Sequence, residues 1–136
     1  MTKPIPRIAR YMSTTPHTIG QDQTLAIAHK HMREHRVRHL PVLGGGRLVG
    51  VISDRDLALI ETLRDVDATK VTVEEAMTQA PYTVSPDASL DEVVATMAEH
   101  RYGSAIIMDN GKVVGVFTTV DALAALAELL QTRLAK

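Results

Sequence analysis

Apolar residues recur along the chain in two patterns, one typical of amphipathic helices and the other typical of buried strands. Helical spacing is found in two stretches: Leu25, Ala28, His29 and Met32, and then Leu90, Val93, Val94 and Met97. Each stretch is followed by two short apolar runs with turn residues between them, at 40–43 and 48–52 in one case and at 105–108 and 113–117 in the other. The pattern therefore predicts a helix and a strand hairpin, twice over.

The residues around these segments predict the remaining elements. A second helix is expected after Ser53 and after Thr118. Short strands are expected ahead of the first helices, at 18–19 and 83–84. The order strand, helix, strand, strand, helix in each half favours an α/β fold of two layers.

The two halves are copies of one sequence pattern. Aligned with itself at a shift of 65 residues, the chain places Met12 on Met77, and the register holds without a gap from Ile8 to Asp56. A duplication of this kind predicts two small units that share one core about a pseudo-twofold axis. The expected boundaries are 8–63 for the first unit, 64–72 for a polar linker and 73–130 for the second unit, with a C-terminal helix continuing to 136.

Composition narrows the class of protein. The chain has 136 residues, 45% of them hydrophobic, and contains no cysteine, which excludes thiol catalysis, iron–sulfur clusters and cysteine-ligated zinc. A net charge of −1, with one Phe, three Tyr and no Trp, argues against nucleic acid as the main partner. No apolar run approaches the roughly 20 residues of a membrane span, so we expect a cytoplasmic protein with no membrane partner.

Charge is divided unevenly between the halves. Residues 1–65 carry ten basic and six acidic residues, a net charge of +4, whereas residues 66–136 carry five basic and ten acidic residues, a net charge of −5. The first half is therefore the better host for an anionic ligand. In a dimer, an antiparallel arrangement sets these opposite charges against each other, so electrostatics favour it weakly over a parallel one.

The two halves agree best where each hairpin ends. There, a hydroxyl residue is followed three positions later by an aspartate: Ser53 by Asp56, and Thr118 by Asp121. A hydroxyl and free N–H groups at a helix N-terminus favour a phosphate, and a carboxylate one turn later can accept both hydroxyl groups of a ribose. These segments are therefore candidate nucleotide sites.

The same spacing is also that of a capping box, which needs no ligand. Thr72 with Glu75 and Ser89 with Glu92 have it too, and we expect both pairs to start helices. Those pairs use glutamate, which reaches back easily, whereas both segments after the hairpins use the shorter aspartate. This difference favours the nucleotide interpretation and leaves the capping interpretation open.

Taken together, these features resemble a tandem pair of cystathionine-β-synthase (CBS) domains, the arrangement called a Bateman module. The resemblance extends from Ile8 to about Leu126 and rests on Met12 with Pro16 and Thr18, the run 38–42, the hairpin and the segment 50–56, each with its counterpart in the second half. It implies an α/β pair of units with two clefts between them. Such clefts bind adenosine-containing ligands, namely AMP, ADP, ATP, S-adenosylmethionine or NAD.

The resemblance also implies roles for particular residues. Phosphate and ribose would be contacted by Ser53, Asp56, Thr118 and Asp121. The adenine pockets would be lined by Thr18, Thr83 and the backbone of two segments, which are His39, Leu40 and Pro41, and Ser104, Ala105 and Ile106. No metal and no cofactor beyond such a ligand is implied.

The second half departs from this pattern at four positions: Ser104, Ala105 and Ile106 stand in place of His39, Leu40 and Pro41, and Val120 stands in place of Arg55. The two clefts are therefore not equivalent, and one is expected to be weak or empty. We expect Arg38, His39 and Arg55 to supply positive charge to phosphate, because guanidinium groups pair closely with phosphate oxygens. The alternative for these arginines is a solvated basic surface.

Other motifs predict less. His31 and His35 stand four apart on a predicted helix, a spacing that can hold a metal, but no further ligand is evident and we expect no metal site. No serine, histidine and acidic residues form a catalytic constellation. We therefore expect a binding module rather than an enzyme.

The C-terminal helix carries an apolar stripe wider than a small domain needs, formed by Leu123, Leu126, Leu130 and Leu134. Part of this stripe is expected to meet another chain. The leading hypothesis is a stand-alone homodimeric sensor that binds an adenine nucleotide and signals to a protein partner. The alternative is a dimerisation or interaction scaffold whose clefts no longer bind a ligand.

Overall fold

The computed structural model describes residues 4–14 and 16–134, and only the backbone of residues 133 and 134. The side chain of Leu134 and the expected end of the C-terminal helix at 136 therefore lie outside the described residues. The described residues form two compact units. One unit consists of residues 16–81, and the other joins residues 4–14 to residues 82–134.

The unit of residues 16–81, all of them described, has four strands and three helices. They are β1 (Ile19–Gly20), α1 (Leu25–His35), β2 (His39–Gly44), β3 (Arg47–Ser53), α2 (Asp54–Glu61), α3 (Val73–Ala76) and β4 (Thr78–Gln79). The strands lie in the order β1-β2-β3-β4, with β1 parallel to β2 and the other neighbours antiparallel. Thr18 was predicted to lie in the first strand, but it precedes β1.

The other unit repeats this plan. Its described elements are a 3₁₀ turn (Ile8–Arg10), β5 (Thr83–Val84), α4 (Leu90–His100), β6 (Ser104–Asp109), β7 (Lys112–Thr118), α5 (Thr119–Leu129) and a π-helical turn (Leu130–Leu134). The strands lie in the order β5-β6-β7, with β5 parallel to β6 and β6 antiparallel to β7. The predicted α/β class and the helix and hairpin of each half are confirmed.

The hairpin turns have the backbone that their residues allow. Gly45 and Gly46 have φ angles of 60° and 79°, and Asn110 and Gly111 have φ angles of 52° and 76°. Positive φ at both central residues is what a type I′ turn requires, and the twist of that turn matches the twist of antiparallel strands. The turn residues therefore set the register of both hairpins.

The capping box predicted for α4 is wrong. Ser89 is the N-cap residue of α4, but its hydroxyl hydrogen-bonds to the carboxylate of Asp91 and not within a box with Glu92. Asp91 is the nearer acidic residue and takes the hydroxyl first. At α3 the predicted box is present, since the Thr72 N–H donates to Glu75 Oε2 at 2.9 Å.

Each unit has its own hydrophobic core, built from one sheet face and the helices that cover it. In the unit of residues 16–81 the core residues are Ile19, Leu25, Ala28, Met32, Leu40, Val42, Ile52, Leu57 and Val73. In the other unit they are Ile8, Leu90, Val93, Met97, Ala105, Ile107, Phe117 and Ala125. Ile8 and Val73 each lie far along the chain from most of the core that they complete.

The first residues of each sequence repeat pack in the unit that consists mainly of the other repeat, and these two residues show it. Ile8 and Val73 are equivalent in the repeat, and both are fully buried. They are held by equivalent hydrogen bonds: the Ile8 N–H donates to the Ala88 carbonyl at 2.8 Å, and the Val73 N–H donates to the Gln23 carbonyl at 2.8 Å. The two repeats have thus exchanged the same segment.

The exchange continues to the sheet edges, where Ser13 bridges Val116 of β7 and Thr78 pairs with Val51 of β3. Two glycines make room for these segments. A Cβ atom on Gly115 would lie 2.6 Å from the sulfur of Met12, and a Cβ atom on Gly50 would lie 2.6 Å from the sulfur of Met77. Glycine at these two positions therefore permits the close approach.

The connection between α2 and α3 is polar and is held by a local turn. Asp67 Oδ1 accepts a hydrogen bond from the Thr69 hydroxyl at 2.6 Å and another from the Thr69 N–H at 2.9 Å. These bonds, the hydroxyl one first, hold the pKa of the exposed Asp67 carboxyl below its ordinary value. The turn is therefore built on a charged carboxylate at neutral pH.

Candidate functional site

The two candidate segments lie at the same place in each unit, where a long strand runs directly into a helix. β3 ends at Ser53, where α2 begins, and β7 ends at Thr118, where α5 begins. Across the hairpins, His39 pairs with Ser53 and Ser104 pairs with Thr118. Because directly opposite residues of antiparallel strands point to the same sheet face, each hydroxyl lies beside the residue that opens the preceding strand.

In both segments the hydroxyl residue and the aspartate form a capping box. The Ser53 N–H donates to Asp56 Oδ2 at 2.9 Å, and the Asp56 N–H donates to Ser53 Oγ at 3.1 Å. Likewise, the Thr118 N–H donates to Asp121 Oδ2 at 2.9 Å, and the Asp121 N–H donates to Thr118 Oγ1 at 3.3 Å. The capping interpretation left open by the sequence is therefore correct as a description of these residues.

The capping box still leaves part of each aspartate available. In Asp56 and in Asp121, only Oδ2 takes part in hydrogen bonds with the described residues, and both residues are partly exposed. A carboxylate held through one oxygen has a fixed orientation and can accept a ligand hydroxyl through the other. Capping and ligand binding are therefore compatible in the same residue.

We term His39, Ser53 and Asp56 the His39 cluster, and Ser104, Thr118 and Asp121 the Ser104 cluster. Strand alternation places the opening residue of each on the sheet face opposite to the core of its own unit. In β2 the alternate residues Leu40 and Val42 belong to the core, and in β6 Ala105 and Ile107 do. Leu40 and Ala105 can therefore offer a ligand only their backbone, as the resemblance implied.

The threonines expected at the adenine pockets lie in the same row as these clusters. β1 pairs with β2 through Ile19 and Val42, which sets Thr18 beside Pro41, and Thr83 pairs with Ile106. Pro41 and Ile106 are each two residues from the opening of their strand, a distance of about 7 Å at the usual rise per residue. In each unit, the threonine, the first residue of the long strand that follows the first helix, and the capping aspartate therefore lie at the same end of the sheet.

Two arginines flank the His39 cluster. The Asp54 N–H donates to the Arg38 carbonyl at 2.9 Å, which fixes Arg38 at the N-terminus of α2, and Arg38 Nε lies 3.9 Å from Asp54 Oδ2. Arg55 is the second residue of α2 and is exposed. Asp54 was not predicted as a site residue. Its exposed ion pair is worth at most about 1 kcal/mol, so it leaves Arg38 able to turn toward a phosphate.

The Ser104 cluster has neutral residues at the equivalent places. The Thr119 N–H donates to the Gly103 carbonyl at 3.3 Å, in the position that Arg38 has in the other unit. Val120, also exposed, stands where Arg55 stands. The departure seen in the sequence is therefore a difference in charge around two otherwise equivalent clusters.

Ser104 itself is unusual among the described residues, because it is the buried polar side chain of the fold, with only 7% of its surface exposed. It opens β6 directly opposite Thr118 of β7, so its neutral hydroxyl belongs to the same sheet end as the capping box of α5.

A stack of aromatic rings in the same unit as the Ser104 cluster was not predicted. The ring centroid of Tyr102 lies 5.3 Å from that of Tyr82 and 5.1 Å from that of His100. Tyr102 precedes Ser104 by two residues, and Tyr82 directly precedes β5. The repeat register aligns Tyr102 with Val37, which is not aromatic, so the repeat does not indicate a stack.

His31 and His35, which have a spacing that can hold a metal, lie close to a third histidine. The rings of His31 and His35 are 6.0 Å apart, and His35 stacks on His17 at 3.7 Å. Within residues 4–14 and 16–134, no three or more His, Asp or Glu side chains are arranged to hold a metal ion. In that same part of the chain, none of the helices has the length and apolar character needed to cross a membrane.

Comparison with known proteins agrees with this geometry. The chain is 31% identical over 111 residues to Hypoxic response protein 1 of Mycobacterium tuberculosis, covering 81% of this chain and 78% of that protein. It is 32% identical over 110 residues to the CBS domain-containing protein YhcV of Bacillus subtilis, covering 81% and 78%.

A solved structure gives the same result for the fold. The CBS domain pair of protein MJ0100, in complex with 5′-methylthioadenosine and S-adenosyl-L-methionine, matches this chain with a TM-score of 0.83 at 28% identity. The match covers 92% of this chain and 98% of that one.

The fold and its paired clusters define a tandem regulatory module. The family model of the CBS domain matches twice, at residues 8–60 and 73–128. The chain belongs to the CBS domain family, and the resemblance found in the sequence is confirmed.

Proposed function

We propose that this CBS pair is a sensor that binds an adenine nucleotide of the AMP, ADP or ATP class, has no catalytic activity of its own and signals to a protein partner. The observation that carries the proposal is the capping aspartate, which is fixed through one oxygen and open through the other in both units. S-adenosylmethionine and NAD are the further ligands with matching chemistry. The absence of cysteine fits a reducing cytoplasm.

The proposed contacts follow the row of residues in each unit. Adenine lies beside the threonine and the strand backbone, the ribose bonds to the open aspartate oxygen, and phosphate takes the N–H groups of the first helical turn. The MJ0100 pair, solved with two adenosine-containing ligands, supports this chemistry in a protein of similar fold. Signalling requires that the ligand bind one conformation of the pair more tightly than another.

The aspartates provide the direct test. We expect the parent chain to bind at least one of AMP, ADP, ATP, S-adenosylmethionine or NAD in calorimetric titration. Asp56→Ala or Asp121→Ala is expected to weaken that binding at least tenfold, because a ribose hydroxyl loses a charge-assisted hydrogen bond worth about 1.5 to 3 kcal/mol. The variant that loses binding identifies the occupied cluster.

Glu75→Ala is the matched control for this experiment. It also removes a capping-box acid, since Glu75 accepts from the Thr72 N–H, but at a helix that follows no hairpin. Its nucleotide affinity should equal that of the parent. Equal weakening by Glu75→Ala and both aspartate variants would show that only helix capping was disturbed, and would contradict the proposal.

We further propose that the pair is a homodimer and that the contact is made by α5. Leu123 and Leu126 of α5 and Leu130 just beyond it are exposed by 65%, 50% and 44% and form an apolar face. The equivalent positions on α2 and just beyond it are Ala58, Glu61 and Asp65, so these three leucines are not repeated in the other unit. A single self-complementary patch favours a twofold contact of α5 with α5 of a second copy.

This arrangement is parallel, whereas the charge difference between the halves favours an antiparallel one. We give the apolar contact more weight, because apolar burial contributes about 25 cal/mol per Å² and exposed charges are screened within about 8 Å at physiological salt. The antiparallel arrangement remains a prediction from charge alone.

Leu126→Glu tests the dimer. The substitution places a carboxylate in the apolar contact, and we expect the dissociation constant measured by sedimentation equilibrium to rise at least tenfold. Leu59→Glu changes a leucine on α2 that is 61% exposed and should leave the dimer intact. Dissociation by Leu59→Glu and not by Leu126→Glu would show that α5 is not the contact.

A second candidate function is a dimerisation scaffold without a ligand, which the same apolar face favours. It predicts a dimer in sedimentation and no heat with any of the five ligands. A dimer that binds none of them would therefore select this candidate over the sensor.

A further inference from the structure

The strongest feature beyond the proposed function is the chemical difference between two clusters that have the same backbone geometry. Strand pairing, capping box and helix start are equivalent in both, down to the Asp54 and Thr119 N–H groups that donate to equivalent carbonyls. The backbone arrangement that a ligand would contact is therefore the same in each unit. The side chains around that backbone differ in charge.

Around the His39 cluster, the surroundings suit a phosphate. Arg38 and Arg55 bring two guanidinium groups to the N-terminus of α2, and Asp54 offsets part of the Arg38 charge at 3.9 Å. Guanidinium forks form paired hydrogen bonds with phosphate oxygens, and the helix N-terminus favours the same negative charge. This cluster can therefore compensate the charge of one or more phosphates.

Around the Ser104 cluster, the surroundings suit a phosphate less well. Gly103, Thr119 and Val120 carry no charge, so a phosphate there would approach the Asp121 carboxylate without counterparts of Arg38 and Arg55 to compensate it. Arg101 does not distinguish the clusters, since Arg36 occupies the equivalent position in the other unit and both are exposed. The repulsion from Asp121 is therefore specific to a phosphorylated ligand.

One further feature of the Ser104 cluster favours an uncharged ligand. Ser104 opens β6 with a neutral hydroxyl, which can donate and accept, as the edge of adenine requires. A neutral adenosine compound can use this hydroxyl without bringing negative charge toward Asp121.

We infer that the His39 cluster takes phosphorylated adenosine compounds and that the Ser104 cluster takes adenosine compounds without a phosphate. The inference rests on the proposed function, since it divides the adenosine-containing ligands between the two clusters. It replaces the expectation that one cleft is weak or empty with two occupied clusters of different specificity.

The test uses two ligands that share adenosine and differ in phosphate: ADP and 5′-methylthioadenosine. Each is titrated against the full chain and against Asp56→Ala, Asp121→Ala and Arg55→Val. We expect Asp56→Ala and Arg55→Val to weaken ADP at least tenfold and to leave 5′-methylthioadenosine bound with parent affinity. Asp121→Ala is expected to do the reverse.

Arg47→Val is the charge-matched control, because Arg47 is exposed at the opposite end of β3 from Ser53. It removes the same charge from the same unit and should change neither affinity. If it weakens ADP as much as Arg55→Val does, the effect is one of overall charge and the division of ligands is wrong.

A gain of binding guards against variants that fail only because they fold poorly. Val120→Arg, added to the Asp56→Ala chain, should create ADP binding that the Asp56→Ala chain lacks. No gain in a chain that still binds 5′-methylthioadenosine would overturn the inference. If the parent chain binds neither ligand, nor any other adenosine compound, the proposed function itself fails, which is a different result from equal binding of both ligands by one cluster.

Discussion

Replacing Ile8 by alanine is expected to lower the free energy of unfolding by about 2 to 5 kcal/mol, the usual cost of truncating a fully buried isoleucine. Ile8 has no exposed surface and belongs to the core with Leu90, Val93 and Phe117. The effect is measured by urea denaturation followed by circular dichroism. Its size would show that a residue at the start of the chain completes a core formed mainly by residues from 82 onward.

Ile5→Ala provides the control within the same segment. Ile5 is 53% exposed, so removing the same atoms should change the free energy of unfolding by less than about 0.5 kcal/mol. Equal costs for Ile5→Ala and Ile8→Ala would mean that the segment does not dock as described. Val73→Ala, at the equivalent position of the second repeat, should also be costly, though less so because valine is smaller.

Gly115→Ala is expected to destabilise the protein by about 1 to 3 kcal/mol, although it adds only one methyl group. That methyl would lie 2.6 Å from the Met12 sulfur and 2.8 Å from the Ser13 carbonyl oxygen. The sulfur can move, but the carbonyl belongs to the backbone that bridges β7 and cannot move without losing its hydrogen bonds. A fall in the melting temperature by several degrees is the expected readout.

The internal repeat supplies both a replicate and a control for this prediction. Gly50→Ala should behave like Gly115→Ala, because its Cβ would lie 2.7 Å from the Thr78 carbonyl oxygen. Gly44→Ala also creates an overlap, but with the end of the Gln21 side chain, which can swing away. A cost for Gly44→Ala as large as that for the other two would mean that backbone overlap is not the cause.

The parts of the fold that the sequence predicted are those fixed by local pattern. The period of apolar residues set the long helices, and the glycine-containing turns set the hairpins, since both depend on residues close together in the chain. The α/β class followed from their order. The capping box at Ser53 followed from spacing alone, whereas at Ser89 two acidic residues competed and spacing could not choose between them.

The exchanged segments could not be predicted, because the repeat itself hides them. Ile8 and Val73, or Met12 and Met77, are similar enough that each fits the docking place of the other. Strands of two residues such as β4 carry no periodicity, and their pairing is decided by distant parts of the chain. The similarity between the repeats reveals the duplication, but for the same reason it cannot show in which unit each opening segment packs.

The candidate site, like the fold, was predictable where local geometry decides it. The alignment of Ser53 with Asp56 and the nearness of His39 both follow from strand and helix geometry. The Arg38 to Asp54 pair and the ring stack of Tyr102 depend on side-chain positions between elements, which no spacing rule gives. The burial of Ser104 became visible only in the structure.

The exchanged segment also bears on how such a chain could arise. A single repeat, translated alone, carries an opening segment whose docking place lies in another copy of itself, and two such chains could complete each other by trading that segment. Joining the two genes end to end then preserves every one of those contacts within one polypeptide. The two repeats of the present chain are related as the members of a segment-swapped pair are, and they carry different residues at positions 38 and 103, 39 and 104, and 55 and 120.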